Sequence, residues 1–305
     1  MKKYFSGTAL PAILACLLWS SAFVGVKIGL KYTSPLQFAG IRFFISGIML
    51  LPFCGELSRI LYFFNKYWRY ILLVGFLQTF LAYALFYTGI DKIPGALAAM
   101  IIGSGPLFAA LTAHFAMEDD KISKRKLISI LVGMAGVAVI SFGRKGFAFS
   151  GGIELLGIGI LILNNLIGGF VNVIIKRRQG QVPPMILSSF SMCLGGLALF
   201  LFSIPTEGFK LTVHPPEYYY ALSWLSFLSA AAFSLWYTLL QKPGVKISTL
   251  NMWKFIIPVS GAILSWSILP DETPDLISIT GMLIIGSSLL LLNYTNRLER
   301  AADKL

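Results

Sequence analysis

The sequence contains little charge: Asp, Glu, Lys and Arg make up 12% of its 305 residues, against about 25% in an average soluble domain. Hydrophobic residues reach 56%, and the mean hydropathy is +0.78. The apolar residues lie in long blocks, and blocks of about 18 or more residues with few charges predict helices that cross a membrane. The shortage of charge therefore excludes an ordinary soluble domain and predicts an all-α integral membrane protein.

Long connections between the blocks are also missing. The longest, residues 55–68 and 205–217, are too short to fold as domains, so residues 1–305 are predicted to form a single membrane domain. The first block is longer than the apolar region of a signal peptide, and we expect it to remain as a helix. The sequence thus predicts ten transmembrane helices, at about residues 9–30, 35–54, 69–89, 93–116, 126–143, 153–175, 183–204, 218–240, 247–269 and 275–294.

Cysteine is scarce, and the spacing of the cysteines matches no known metal-binding or disulfide pattern. Cys16, Cys54 and Cys193 stand alone within blocks. They predict neither a disulfide framework nor a metal site, and we expect no metal and no cofactor.

Acidic residues are absent from the middle of the blocks. All 13 fall in connections, in the termini or at block ends, which argues against a proton relay of buried carboxylates. Glu118 and Glu272 remain candidates for gating or coupling, with helix capping or solvation at the membrane interface as the alternative. We interpret the turn "EDD" at residues 118–120 as solvated.

The basic residues alternate in number from one connection to the next. Seventeen of the 25 Lys and Arg lie in the two termini and in every second connection, whereas five lie on the other side and three within blocks. Cytoplasmic loops carry such an excess, so both termini are predicted to be cytoplasmic. The net charge of +12 therefore reflects membrane topology. We expect contact with membrane lipids and none with nucleic acid, whose binding face would not alternate from loop to loop.

Two short segments and one proline recur in the same order in the second half of the chain. "ALFYT" at residues 84–88 matches "SLWYT" at 234–238, and "AFVGV" at 22–26 matches "GFVNV" at 169–173. Pro106 similarly matches Pro258. The offsets of 150, 147 and 152 residues are nearly constant, which favours an internal duplication over chance similarity among apolar residues.

The duplication divides the chain into repeat one, residues 1–146, and repeat two, residues 147–305, with five predicted helices each. Because five is odd, the second repeat enters the membrane in the opposite orientation. Inverted repeats recur in secondary transporters. Two similar halves can exchange conformations, which brings the inward-open and outward-open states close in energy.

Further segments follow in a fixed order along nearly the whole chain. They include "LLWSSAFVGVKIGL" (17–30), "PLQFAGIRFFISG" (35–47), the stretch from "ALFYTG" to "FAMED" (84–119), "GMAGV" (133–137) and "GMLIIGSSLLL" (281–291). In these segments the chain resembles the EamA-like members of the drug/metabolite transporter superfamily. The resemblance implies ten helices, alternating access and export of amino acids, other metabolites or toxic compounds, here across a bacterial inner membrane. We include a homodimer among the expected assemblies.

Candidate solute-binding residues are aromatic and polar groups predicted at mid-membrane depth. Tyr83 and Tyr87 share a helix face, and Trp236 and Tyr237 hold the repeat-related place. An aromatic cavity with a few polar groups suits an amphipathic organic solute, although packing against lipid is the alternative for each aromatic residue. The full set is Trp19, Arg42, Gln78, Tyr83, Tyr87, Asn165, Trp236, Tyr237, Trp253 and Lys254.

Ionisable groups within membrane helices are functional candidates because their burial is costly. Arg42 and Lys254 are expected to meet any anionic group of a solute, with extension to the interface as the alternative. Lys27, late in helix 1, and the helix-bending Pro106 and Pro258 are gating candidates.

The sequence therefore predicts a secondary transporter that exports small organic metabolites, and no enzyme. The alternatives are a nucleotide-sugar or sugar-phosphate exchanger of the same superfamily, an enzyme acting on lipid-linked substrates, and a channel or structural membrane protein. The enzyme would need a loop with convergent acid, base or metal-binding residues, which the sequence does not offer.

Overall fold

The structure, a computed structural model, describes residues 2–90, 92, 101–144, 152–208, 213–268 and 276–302. Its regular elements within these ranges are helices. The α-helices are α1 (Lys2–Gly29), α2 (Pro35–Leu50), α3 (Leu57–Val74), α4 (Ala82–Ile90), α5 (Gly105–Ala116), α6 (Lys124–Arg144), α7 (Gly152–Arg177), α8 (Pro184–Glu207), α9 (Pro216–Gln241), α10 (Ile247–Met252), α11 (Ile256–Ile268) and α12 (Leu276–Ala302).

Several of these helices are long and apolar enough to cross a membrane. Among the described residues, six helical stretches meet that requirement, and the shorter apolar helices Gly105–Ala116 and Ile279–Leu291 accompany them. The all-α membrane class is confirmed, while the count of ten spans stays a prediction. The six stretches are Gly7–Gly29, Pro35–Phe53, Leu57–Ile90, Gly152–Arg177, Pro184–Glu207 and Pro216–Gln241.

The chain folds into two compact units. Unit one comprises Met1–Tyr87 and Ile174–Val245, and unit two comprises Thr88–Val173 and Lys246–Leu305. Each unit takes helices from both halves of the sequence. The units therefore differ from the repeats 1–146 and 147–305, and the repeat division stays a prediction.

In unit one, α2 packs along α8, and α1 packs along α9. Glycine lets the first pair approach closely, since a Cβ atom on Gly40 would lie 2.6 Å from the backbone nitrogen of Phe200. Glu207, at the end of α8, accepts hydrogen bonds of 2.9 Å and 3.0 Å from the backbone N–H groups of Leu36 and Gln37. These otherwise unpaired donors begin α2, so the carboxylate ties the ends of two neighbouring helices together.

In unit two, α6 packs along α12 and α10 packs along α5. The core of this unit contains Ile130, Val137, Phe255 and Ile285, all of which are buried. A Cβ atom on Gly136 would lie 2.8 Å from the carbonyl oxygen of Gly281. Small residues again allow close contact between two helices.

The predicted connection 55–68 is wrong, because α3 begins at Leu57. Its first turns form an amphipathic helix with aromatic and basic residues. The basic residues lower the local hydropathy, so this part of the helix does not stand out as an apolar block. Tyr67 breaks the regular geometry with φ −122° and ψ 19°. A kinked amphipathic segment therefore precedes the apolar part of this helix.

Three predicted helices also contain irregular turns. The third continues through a π-helical segment, Gly75–Leu81, and the ninth is interrupted by a 3₁₀ turn, Trp253–Phe255. The fourth is broken at Ser104, two residues before Pro106, which lies in the first turn of α5. Proline lacks the N–H group that would continue the helical hydrogen bonds, which explains the break.

Candidate functional site

A set of aromatic rings forms a connected cluster within unit one. The Trp19 ring centre lies 5.1 Å from that of Trp236 and 5.6 Å from that of Phe233. The Phe43 ring centre lies 6.1 Å from that of Phe233 and 4.4 Å from that of Tyr83. These are favourable aromatic distances. We define the aromatic cluster as Trp19, Phe43, Tyr83, Phe233, Trp236 and Tyr237.

Four helices contribute to the aromatic cluster. Trp19 lies on α1, Phe43 on α2, Tyr83 on α4, and the other three members on α9. Phe233 and Tyr237 are one helical turn apart, with ring centres separated by 6.0 Å. The cluster thus depends on the packing of α1 along α9 and of α2 beside them.

Arg42 adds a buried cation to this cluster. Its side chain is only 4% exposed. The guanidinium carbon lies 4.3 Å from the ring centre of Phe43 and 5.6 Å from that of Tyr83. Among the described residues, the buried Nε atom of Arg42 has no hydrogen-bond partner. Aromatic faces stabilise a cation, so the two rings partly replace the water that the guanidinium has lost.

The other unit-one candidates occupy different positions. Tyr87 is buried and joins the edge of the cluster through Phe86, whose ring centre is 5.2 Å away. Gln78 is half-buried in the π-helical segment. Lys27 is exposed in the last turn of α1, and its gating role stays a prediction.

Asn165 has a structural contact in unit two. Its Nδ2 atom donates to the carbonyl oxygen of Ile101 at 2.5 Å and lies 3.4 Å from the Ser104 hydroxyl. The same carbonyl oxygen also accepts hydrogen bonds from the N–H group and the hydroxyl of Ser104, at 3.1 Å and 2.6 Å. Asn165 thus ties α7 to the irregular turn that precedes Pro106, as side chains do beside broken membrane helices.

Trp253 and Lys254 also belong to unit two, where they form the 3₁₀ turn between α10 and α11 with Phe255. Both are half-buried. Pro258 follows early in α11. The structure thus brings Trp19, Arg42, Tyr83, Trp236 and Tyr237 together in unit one, where Gln78 and Tyr87 also lie. It places Asn165, Trp253 and Lys254 in unit two.

The prediction that the "EDD" turn at residues 118–120 is solvated is wrong for Asp120. Glu118 and Asp119 are exposed, but Asp120 is buried beside the buried Lys126, with 3.6 Å between carboxylate and ammonium. Asp120 also accepts a hydrogen bond from the Ser248 N–H group at 2.8 Å. Glu272 lies outside the described residues.

Phe43 and Phe233 were not among the sequence candidates. The alignment of "ALFYT" with "SLWYT" pairs Tyr83 with Phe233, and that pairing was a usable signal. Phe43 follows Arg42 directly and carried no separate signal. Among the described residues, no group of three or more His, Cys, Asp or Glu side chains could hold a metal ion.

The apolar helices and the length of the candidate spans define the class of the integral membrane proteins. The sequence pattern of the EamA-like transporter family matches residues 7–142 and 155–294. The chain belongs to the EamA-like transporter family.

Similar proteins carry matching descriptions. The "uncharacterized transporter YvbV" of Bacillus subtilis (strain 168) is 26% identical, over 97% of this chain and 94% of that protein. An "uncharacterized transporter" of Archaeoglobus fulgidus is 22% identical, over 92% of this chain and 94% of that protein. A solved structure described only as "crystal structure of protein" matches with a TM-score of 0.83 at 20% identity, over 96% of this chain and 99% of the other. This last likeness concerns the fold alone.

Proposed function

We propose that the protein is a secondary transporter that exports small organic metabolites from the cytoplasm by alternating access. In this proposal ten helices form two inverted repeats, both termini are cytoplasmic, and the protein resides in a bacterial inner membrane. The observation that carries the proposal is the aromatic cluster with its buried cation, which we assign as the solute-binding region.

The chemistry of the cluster suits an amphipathic solute. Trp19 and Tyr83 are half-buried, whereas Phe43, Trp236 and Tyr237 are almost fully enclosed. Binding sites for small molecules are lined mainly by apolar and aromatic groups, with a few polar groups that fix orientation. In this cluster the rings would hold an apolar body and Arg42 would orient a polar end.

The packing within each unit supports the inverted repeat. In unit one, α2 packs along α8, and these are the second helices of the two predicted repeats. In unit two, Gly136 of "GMAGV" approaches Gly281 of "GMLIIG", its repeat-related segment. Contacts between equivalent helices are expected near the axis that relates two inverted repeats. The family match to two separate segments, 7–142 and 155–294, supports the same division.

Replacing Trp19 with alanine tests the assignment of the binding region. The variant removes a half-buried ring that contacts Phe233 and Trp236. We expect solute binding to weaken by about 1–2 kcal/mol, the scale of one aromatic contact. Binding and uptake are measured in proteoliposomes with solutes selected by thermal-shift screening of a metabolite library.

Trp224 provides a matched control on α9. It is exposed, and its ring centre lies 5.8 Å from that of Phe227, outside the aromatic cluster. Its Nε1 atom donates one exposed hydrogen bond to the Ser21 hydroxyl of α1, at 3.1 Å. Trp224→Ala should leave binding unchanged. Equal losses in Trp19→Ala and Trp224→Ala, or no loss in Trp19→Ala, would contradict the assignment of the binding region.

A further inference from the structure

Arg42 carries a charge that the described part of unit one does not neutralise. Arginine stays protonated in proteins, so burial does not remove its charge. No carboxylate of a described residue lies within 4.0 Å of its guanidinium group. A cation in the interior of a membrane protein is costly without a partner and marks a functional site.

Nearby groups fill only part of the hydrogen-bonding capacity of the Arg42 guanidinium. The rings of Phe43 and Tyr83 contact the guanidinium, and the Tyr83 hydroxyl is its polar neighbour. The buried Nε atom still lacks a partner among the described residues. Arginine has five N–H donors in one plane, which the rings and one hydroxyl cannot satisfy together.

Glu207 is not paired with Arg42, because its carboxylate is held at the first turn of α2. Both oxygens accept hydrogen bonds from the first backbone N–H groups of α2, at 2.9 Å and 3.1 Å from Leu36 and at 3.0 Å from Gln37. Releasing this carboxylate would leave the α2 donors unpaired. The missing acceptor for Arg42 must therefore come from elsewhere.

We propose that Arg42 is the anion-binding group of the aromatic cluster, and that the solute is a monocarboxylate with an apolar or aromatic body. This inference rests on the proposed function and assigns its solute class. A carboxylate fits the planar donors of a guanidinium with two parallel hydrogen bonds. One buried cation balances one negative charge, whereas a phosphate dianion would leave an excess charge among the rings. The rings of Trp19, Phe43 and Trp236 receive the apolar body.

The test compares phenylacetate with phenylacetamide, which has the same shape and no charge, and with phenyl phosphate. Binding to the purified full-length protein is followed by tryptophan fluorescence, since Trp19 and Trp236 belong to the cluster. We expect phenylacetate to bind more tightly than either other probe. In Arg42→Gln, phenylacetate affinity should fall about tenfold or more, the effect of losing a charge-assisted contact. Phenylacetamide affinity should change about twofold at most by the same argument.

Two further variants separate binding from folding. Arg42→Lys keeps the charge without the planar donors, and its phenylacetate affinity should lie between those of the wild type and Arg42→Gln. Arg69→Gln is the matched control, because Arg69 also lies over an aromatic ring, 5.3 Å from the centre of Trp68, but is exposed. It should bind all three probes like the wild type. Retained phenylacetamide binding shows that Arg42→Gln is folded.

The outcomes distinguish this inference from the proposed function. Equal affinity of the wild type for phenylacetate and phenylacetamide overturns the inference alone, and so does an equal loss of both in Arg42→Gln. Tighter binding of phenyl phosphate also overturns it and favours a phosphorylated solute. If Trp19→Ala leaves the binding of every probe unchanged, the proposed binding region fails as well.

Discussion

Asp120 shows how a single tertiary contact buries an acidic residue in a chain with little charge. Its side chain is 2% exposed, and that of Lys126 is 1% exposed. Asp120 accepts hydrogen bonds from the N–H group and the hydroxyl of Ser248, and the Lys126 ammonium donates to the same hydroxyl at 3.0 Å. These polar partners offset the cost of burying the two charges.

Replacing Asp120 with asparagine should destabilise the protein strongly. The change leaves the buried Lys126 ammonium without its counter-ion, a situation that costs about 3–5 kcal/mol. The measurement is thermal unfolding of the purified protein in detergent. The neighbouring Asp119 is exposed, and Asp119→Asn should change stability by about 0.5 kcal/mol or less.

A double variant identifies the cause. Asp120→Asn with Lys126→Met removes both charges, so it should recover part of the stability lost in the single Asp120→Asn variant. Equal melting temperatures for Asp119→Asn and Asp120→Asn would show that the buried ion pair contributes nothing.

The sequence could not distinguish Asp120 from its neighbours. Glu118, Asp119 and Asp120 form one run of acidic residues, and Ser248, which binds only the last of them, lies 128 positions away along the chain. The same reason applies to Phe43, whose role depends on Tyr83 and Phe233 from other helices. Residue types were predictable, and long-range partners were not.

At the level of elements, α2 and α8 depend on glycine for their close contact. A Cβ atom on Gly196 would lie 2.5 Å from the backbone nitrogen of Phe44, and one on Gly40 would lie 2.6 Å from that of Phe200. Both contacts involve backbone atoms, which cannot move aside as a flexible side chain can. The two helices must therefore separate to admit a methyl group.

We expect Gly40→Ala to lower the melting temperature, with a cost of about 1–3 kcal/mol from forced separation of α2 and α8. Gly159 on α7 is the control, because a Cβ atom there has no neighbour within 4 Å. Gly159→Ala should be neutral or stabilising by up to about 1 kcal/mol, since alanine favours a helix over glycine. A Gly40→Ala protein as stable as the wild type would contradict the close contact.

Helix positions were largely predictable from apolar blocks and prolines, but helix irregularities were not. Pro35 and Pro184 begin α2 and α8, as the preference of proline for a first turn predicts. The first half of α3 was missed because its charged and aromatic residues lower the local hydropathy. The π-helical segment Gly75–Leu81 packs against α8, a contact that the local sequence does not encode.

At the level of the whole molecule, the unequal distribution of basic residues predicts the orientation. The connection with Lys121, Lys124, Arg125 and Lys126 is assigned to the cytoplasm, and the short connection at Lys31 to the opposite side. Both Lys31 and Lys124 are exposed in the structure, so a probe in the adjacent compartment could reach either position. The two positions thus form a matched pair for a topology test.

Cysteines introduced at Lys31 and Lys124 test this orientation in intact cells with a membrane-impermeant maleimide. The Lys31→Cys protein should be labelled from outside, whereas Lys124→Cys should be labelled only after the cells are opened. The native thiols should add little background, because Cys16 and Cys54 are buried and Cys193 is partly buried. The untreated wild type measures that background directly. If Lys124→Cys but not Lys31→Cys is labelled in intact cells, the orientation is the reverse of the predicted one. Both termini would then lie outside the cytoplasm, and the interpretation of the basic residues would be wrong.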